Sequence, residues 1–330
     1  MAEPFRQRVV TMEVLLVAIA ALVVTAALVP VCIVAAHRWD ISDRPGPLKP
    51  QETPVPYLGG VAVFAGVAVG AWVGRPITLV PLAAALAVGV SDDRFNLRAP
   101  MKLCAQLGVG AIIAATQPVH LPGWIGVPLV MAASVVLING FNLLDGLDLL
   151  AVGVGAITAV GFGLLIPGPA RLLAASLTGA LVAFVWYNRP PARIYLGDGG
   201  SYLIGASMTV LLAYAWGPGT AGATGVIALA LLVVPVAEIA CAIVRRSRSG
   251  HSILDGDRAH PYDLLVASGW SRPAATASYI VVEVVVVTMV AVIDHASMTV
   301  AVAIDLAVAA AVLGGAALVG GMSNPAGTRS

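Results

Sequence analysis

The chain has 330 residues, of which 59% are apolar and only 11% are charged, and its mean hydropathy is +0.94. A soluble domain carries about 25% charged residues, so this composition excludes an ordinary soluble protein. A net charge of +1 gives no sign of a nucleic-acid partner. The apolar runs at 14–36, 221–244 and 274–293 can each cross a bilayer as a helix, at about 1.5 Å per residue. We therefore predict an all-α, polytopic membrane protein.

In chain order, the hydropathy pattern predicts eleven membrane-spanning helices in a single domain, 1–330, with a disordered tail over 321–330. The first apolar run is too long for the core of a signal peptide, so we expect it to be retained as a helix. The predicted spans are 12–36, 57–74, 76–91, 101–117, 126–143, 149–167, 170–187, 200–216, 222–244, 273–293 and 297–320.

Basic residues are distributed unequally between the two sides of this layout. Fourteen of the 18 Lys and Arg residues lie after odd-numbered spans or in the C-terminal tail, and four lie on the other side. Because cytoplasmic loops are enriched in basic residues, we predict that the N-terminus is outside and that the odd-numbered loops are cytoplasmic. Most acidic residues fall on the same cytoplasmic side, although they contribute little to orientation. A shared cytoplasmic active site is the cause that we favour.

Two carboxylates, Asp92 and Asp93, are adjacent at the end of the third predicted span. Such a pair persists near a bilayer most easily beside basic groups or a divalent cation, and Mg²⁺ usually bridges carboxylates to a substrate phosphate. A solvated cap at a helix end would show the same pair of residues in the sequence.

Asp198 lies between glycines in YLGDGGS (195–201). Its carboxylate could meet a metal or phosphate there, although a simple Asp-Gly turn is the alternative.

A third group of polar residues recurs at every third position in NGFNLLDGLDLL (139–150), between apolar runs. If the fifth span continues through them as a helix, neighbouring side chains lie on adjoining turns. They then either line a site or hold helices together through interhelical hydrogen bonds. The four residues are Asn139, Asn142, Asp145 and Asp148.

The longest predicted cytoplasmic loop, 245–265, is also the most basic, and it contains His260. His260 could donate to a phosphate, whereas a lone loop histidine is more often plain surface. Within the spans, Glu238, Glu283 and Asp305 are isolated, and we assign them to helix packing or polar cavities. The acidic cytoplasmic loops, with their arginines and glycines, favour a site that acts on metal-bridged phosphates. An ion pathway would instead place its carboxylates near the bilayer midplane.

Six stretches in this order resemble the polyprenyl-phosphate N-acetylhexosamine-1-phosphate transferases, bacterial glycosyltransferase family 4. That family includes the initiators of teichoic-acid linkage and of enterobacterial common antigen, and muramyl-pentapeptide translocase. The resemblance covers roughly residues 40–270. The stretches are DRP…TPVPYLGG (43–60), DD…MKLCAQ (92–106), NGFNLLDGLD (139–148), WYN (186–188), YLGDGGS (195–201) and DRAH (257–260).

The resemblance implies a multi-pass enzyme of the bacterial plasma membrane, which serves cell-envelope polymer synthesis. A phosphate oxygen of polyprenyl phosphate attacks the β-phosphorus of a UDP-sugar, UMP leaves, and a lipid-linked diphosphate sugar remains. The reaction would need Mg²⁺, with Mn²⁺ as a possible substitute. Membrane lipids would surround the protein, and a homodimer is left open.

The resemblance also implies roles for individual residues. Asp198 matches the metal-binding aspartate, and Asp92 is expected to share the metal. Asp92 and Asp93 match an acidic pair, one member of which deprotonates the lipid phosphate, while a covalent aspartyl intermediate is the alternative mechanism. Asp145 and His260 complete the predicted catalytic set. The predicted substrate-binding residues are Lys49, Lys102, Asn139, Asn142, Asp148, Asn188 and Tyr195, the last two beside the uracil.

The chain departs from the family pattern at several positions. Where the family usually carries a His-rich run, this chain reads HPYD (260–263), so Tyr262 and Asp263 replace imidazoles. Leu149 also stands at the second glycine of the usual DGxDG. Two alternatives therefore stay open: a catalytically weak or inactive member that acts as a scaffold in envelope assembly, and an unrelated transporter. If the loop is merely eroded, changing Tyr262 and Asp263 together to histidine should raise activity.

Overall fold

The computed structural model describes residues 2–44, 53–217, 222–249 and 260–293, with scattered residues between 299 and 314. Helices dominate these ranges, and their only strands are the short antiparallel pair β1 (Ser42–Asp43) and β2 (Val55–Pro56). This architecture confirms the prediction of an all-α protein. Lys49, Asp305 and the tail 321–330 lie outside the described residues, as does much of the predicted span 297–320.

Twelve α-helices form within the described residues, and a 3₁₀ turn at Pro76–Thr78 leads into the third of them. The helices are α1 (Ala2–Arg38), α2 (Gly59–Gly74), α3 (Leu79–Phe95), α4 (Ala99–Thr116), α5 (Gly123–Leu144), α6 (Leu150–Leu165), α7 (Pro169–Asn188), α8 (Gly197–Ala215), α9 (Gly222–Ala230), α10 (Val233–Ser249), α11 (Pro261–Ala267) and α12 (Arg272–Ile293).

Six described helices are long and apolar enough to cross a membrane: α1, α3 with its leading turn, α4, α5, α7 and α12. The pair α9 and α10 makes a seventh span if it is counted as one, while α2 and α6 are apolar but shorter. The protein is therefore a multi-pass membrane protein. The count of eleven spans and the orientation remain predictions.

The predicted ninth span, 222–244, is broken. Helices α9 and α10 meet at an angle of 62° across Leu231 and Leu232. Pro235 has no N–H to donate to the carbonyl of Leu231, so a continuous helix would lose one hydrogen bond there. The break redirects α10, which carries Glu238, towards the loop that carries His260.

The fifth helix ends close to the predicted boundary at 143 and does not continue through the whole polar stretch. Helix α5 ends at Leu144, and Asp145 is its C-cap. The chain then turns, and Leu149 adopts a left-handed conformation with φ of 68° before α6 begins. The four polar residues are thereby divided, since Asn139 and Asn142 lie on the helix whereas Asp145 and Asp148 lie in the turn.

Helix α8 is buried along most of its length, in contact with α3, α5 and α2. Glycines allow this close packing at the start of α8. A Cβ atom at Gly89 would clash with the carbonyl of Asp198, and one at Gly60 would clash with the backbone of Gly200. Gly89 of α3 and Gly60 of α2 thus allow close contact with the start of α8, and this contact brings Asp198 against α3.

Candidate active site

Four aspartates from distant parts of the sequence meet at one end of the bundle. Asp92 and Asp93 lie in the last turns of α3, Asp145 caps α5, and Asp198 lies in the first turn of α8. Burial and the charges of three neighbouring carboxylates raise the pKa of Asp145 well above its usual range. In order of effect, those neighbours are Asp198, Asp93 and Asp148. The electrostatics therefore favour a cation at this cluster.

Asp93 caps the N-terminus of α8. Its Oδ1 accepts the backbone N–H of Asp198 at 3.0 Å, and its Oδ2 accepts that of Gly199 at 3.1 Å. The first N–H groups of a helix lack partners in the helix and carry partial positive charge, so a carboxylate is stabilised there. Gly197 has φ of 74°, and a Cβ atom there would lie 2.8 Å from Asp93 Oδ2. Both oxygens of Asp93, predicted to be catalytic, thus hold the backbone that carries Asp198.

Asp92 is only 3% exposed, and three donors surround its carboxylate. Oδ1 accepts the N–H of Leu97 at 3.0 Å, while Oδ2 accepts the Tyr202 hydroxyl and the Lys102 ammonium, each at 2.7 Å. Lys102, predicted to bind substrate, therefore forms an ion pair with Asp92. A metal ion or a lipid phosphate would first have to displace one of these partners, and Lys102 is partly exposed.

The two asparagines of α5 have different partners. Asn142 donates from Nδ2 to Asp198 Oδ1 at 2.6 Å and to the Ser201 hydroxyl at 3.3 Å. Asn139, one turn earlier, donates to Gln106 Oε1 at 2.6 Å and thereby joins α5 to α4. Gln106 is fully buried and was missed from the sequence, although a lone amide in the apolar run of α4 was the available signal.

A cavity of about 600 Å³ lies beside the turn that follows α5, and its lining includes Asp148 and Tyr195, two of the predicted substrate-binding residues. Burial raises the pKa of Asp148, while the N–H of Ala192 and the charge of Arg272 act in the opposite direction. Burial, followed by the charge of Asp148, raises the pKa of Tyr195 to about 12, so its hydroxyl stays protonated and able to donate. Arg272, which was counted in the sequence only as a basic residue that orients the spans, also lines this cavity.

Asn188, predicted to lie beside the uracil, is buried and does not line that cavity among the described residues. Its Oδ1 accepts the N–H of Leu149 at 2.8 Å, and its Nδ2 donates to the carbonyl of Ile194 at 3.1 Å. These bonds tie the turn after α5 to the segment that carries Tyr195. Asn188 therefore stabilises the backbone next to the cavity without lining it.

His260 is buried at the start of α11 instead of lying on the surface, and its Nδ1 is 3.3 Å from Glu238 Oε2. The ring stacks on Tyr262 with centroids 5.2 Å apart. Tyr262 donates its hydroxyl to the carbonyl of Leu143 at 3.0 Å, and Asp263 accepts the N–H of His260 at 3.2 Å. Of the two residues that replace imidazoles, Tyr262 thus holds α11 against the end of α5, whereas Asp263 caps α11 itself.

Residues 76–215 match the sequence profile of glycosyl transferase family 4, and this range contains all four converging aspartates. The probable undecaprenyl-phosphate N-acetylglucosaminyl 1-phosphate transferase of Bacillus subtilis (strain 168) is 30% identical over 253 residues, which are 70% of this chain and 71% of that protein. The chain belongs to glycosyl transferase family 4. The resemblance inferred from six short stretches is therefore confirmed.

Further relatives carry similar names. The decaprenyl-phosphate N-acetylglucosaminephosphotransferase of Mycobacterium tuberculosis (strain ATCC 25618 / H37Rv) is 29% identical over 272 residues, 67% of each chain. The undecaprenyl-phosphate alpha-N-acetylglucosaminyl 1-phosphate transferase of Escherichia coli (strain K12) is 25% identical over 267 residues, 73% of each chain. His260 lies beyond the family match at 76–215, so its assignment depends on its contacts.

Proposed function

We propose that the protein transfers a sugar-1-phosphate, probed first as N-acetylglucosamine-1-phosphate, from a UDP-sugar to polyprenyl phosphate, with release of UMP. The lipid-linked diphosphate sugar would serve cell-envelope polymer synthesis. The observation that carries this proposal is the convergence of four aspartates at one face of a membrane bundle that belongs to this family. The curated relatives named above are polyprenyl-phosphate transferases, which supports the same reaction.

We also propose a single domain with eleven spans and the N-terminus outside, and the same face supports this orientation. Helices α3, α5 and α7 end at the face where α8 begins, and the loops there are rich in arginine. The positive-inside rule makes this face cytoplasmic, where UDP-sugars are available.

Mg²⁺ is the cation that we propose, with Mn²⁺ as a substitute, and Asp198 and Asp145 are its proposed ligands. The described residues contain no group of three or more His, Cys, Asp or Glu side chains arranged to hold a metal. This fits Mg²⁺, which usually binds one or two carboxylates, waters and substrate phosphates. Asp92, predicted to share the metal, already accepts from three donors, which argues for the other two. When bound, Mg²⁺ neutralises charge on the diphosphate as UMP leaves.

Asp92 is the proposed base that accepts the proton of the lipid phosphate, and Lys102 guides that phosphate towards it. The Lys102 side chain is 29% exposed, whereas that of Asp92 is only 1% exposed. An incoming phosphate would attract Lys102 away from Asp92 Oδ2 and leave that oxygen able to accept a proton. Asp93 and Asn142 keep Asp198 in place on either side.

The two substrates are proposed to occupy different cavities. The cavity lined by Asp148, Tyr195 and Arg272 offers an aromatic ring and charged groups to the nucleotide. A second cavity of about 400 Å³ lies between α10, α11 and α12 and is almost wholly apolar, which suits a prenyl chain. Pro261, next to His260, lines this apolar cavity.

The proposal is tested by measuring UMP release from UDP-N-acetylglucosamine with undecaprenyl or decaprenyl phosphate in detergent, followed by a screen of other UDP-sugars. We expect release that needs both substrates and stops when EDTA removes the divalent cation. A folded protein that releases no UMP from any UDP-sugar would instead be a scaffold, and solute flux without UMP would indicate a transporter.

The contacts of α11 reverse one expectation from the sequence. Changing Tyr262 and Asp263 together to histidine should lower UMP release, because the Tyr262 hydroxyl bond to Leu143 and the Asp263 cap are lost. Each loss costs about 1 kcal/mol of folding stability. Release assays and thermal unfolding in detergent measure both effects. Higher release with an unchanged melting temperature would show that the loop is merely eroded.

A further inference from the structure

Glu238, which we assigned from the sequence to helix packing or a polar cavity, lies in a buried network that joins three helices. It is 2% exposed in α10, just after the break from α9. Its Oε2 faces Nδ1 of His260 at 3.3 Å, and its Oε1 accepts the Tyr279 hydroxyl of α12 at 2.5 Å. A buried carboxylate is costly unless it is hydrogen-bonded, and both oxygens of Glu238 have partners.

The network restrains His260 from several sides. Its backbone N–H is bound by Asp263, one face of its ring stacks on Tyr262 with an interplanar angle of 10°, and its Nδ1 is bound by Glu238. With Nδ1 occupied, Nε2 is the ring nitrogen that can meet a ligand. Tyr262 packs directly against Gly146, which follows Asp145, so the network borders the acidic cluster.

We propose that Glu238 is a positioning residue for His260, and this inference rests on the proposed function. The carboxylate accepts a hydrogen bond from Nδ1–H, which sets the tautomer, and it stabilises the imidazolium form. Nε2–H can then donate to a phosphate oxygen of a bound substrate. The pair would let the chain keep one charged histidine where its family usually has several.

Several charged or titratable groups surround this pair and must enter any account of its pH dependence. Asp263 interacts electrostatically with His260 and adds negative charge, while Arg272 opposes it. Arg245 and Cys241 lie on the same helix as Glu238, and Tyr262 and Tyr279 are neutral donors nearby. Glu238 is the carboxylate whose side chain contacts the His260 ring, so its removal should have the largest effect.

The test is Glu238→Gln, which keeps the size of the side chain and removes its charge. An imidazolium without this carboxylate loses its proton at lower pH, so the alkaline limb of the turnover–pH profile should move down by about one unit. Turnover near pH 7.5 should fall by about tenfold, with KM for the UDP-sugar changed less than about threefold. Glu283→Gln is the matched control, because Glu283 is equally buried but contacts Thr158, away from His260.

A second measurement does not depend on activity. In protein with ¹⁵N-labelled histidine, the His260 signals are identified by their loss in His260→Gln, and Nδ1 should carry a proton. An unprotonated Nδ1 in the native protein would overturn the inference, as would an unchanged pH limb in a folded Glu238→Gln protein. If the native protein releases no UMP but shows Nδ1 protonated, and its imidazolium form persists to higher pH than in Glu238→Gln, the proposed function fails while the pairing of Glu238 with His260 stands.

Discussion

Replacing Asp198 by asparagine is expected to lower UMP release by roughly a hundredfold or more, which corresponds to about 2.7 kcal/mol of activation barrier. The Asp198 carboxylate, at the start of α8, is one of the two proposed metal ligands and lies between Asn142 and the neighbouring carboxylates. Asparagine keeps the size of the side chain and an oxygen that can accept from Asn142. The fold should therefore persist while the negative charge that holds the cation is lost.

The measurement is turnover as a function of Mg²⁺ concentration, since a lost ligand should also raise the concentration needed for half-maximal release. Asp40→Asn is the control, because Asp40 is an exposed aspartate whose carboxylate pairs with Arg44 on the surface. It should release UMP at the native rate. Release at the native rate from the Asp198→Asn protein would remove Asp198 from the metal site.

The helical bundle could be predicted because apolar runs in a bilayer must satisfy their own backbone hydrogen bonds, and helices do this within one segment. The break between α9 and α10 could not be predicted from Pro235 alone. Pro30 lies inside α1 and Pro128 inside α5, and neither ends its helix. Whether a proline breaks a helix depends on the packing around it, which hydropathy does not report.

The cluster of aspartates could be predicted as a set, but the partner of each carboxylate could not. Asp92 and Asp93 are neighbours in sequence, yet successive side chains on a helix point about 100° apart. Asp92 consequently faces Tyr202 and Lys102, while Asp93 faces the start of α8. Distinguishing their roles required knowing how α8 crosses α3.

The same limit applies to the residues near His260. From the sequence, Glu238 is an isolated acid in mid-span, and HPYD (260–263) is a degraded motif. Only the turn of α10 at its break brings the Glu238 carboxylate to the His260 ring. A departure from a family pattern therefore need not mean lost function, since Tyr262 and Asp263 have structural partners of their own.

Because the adjacent residues Asp92 and Asp93 have different partners, their substitutions should have different effects. Asp92→Asn should lower turnover by about a hundredfold, because the side chain can no longer accept the proton of the lipid phosphate. The affinity for the UDP-sugar, measured by equilibrium binding, should change less than about threefold, since Asp92 pairs with Lys102 and is not among the described residues that line the nucleotide cavity. A loss confined to UDP-sugar binding would contradict the role of Asp92 as base.

Asp93→Asn is the matched variant, and its effect should come from weaker support of the start of α8. An amide in place of the Asp93 carboxylate presents an NH₂ group to one of two backbone N–H donors at the start of α8, so one charge-assisted bond is lost. Such a bond contributes about 1.5–3 kcal/mol, so the melting temperature should fall by several degrees together with turnover. The Asp92→Asn protein keeps the bond to Leu97 but loses the charge that pairs with Lys102, so its stability should fall as well. Turnover of the folded proteins distinguishes the two variants: an equal loss of turnover in both would show that Asp92, like Asp93, serves mainly to hold the helices in place.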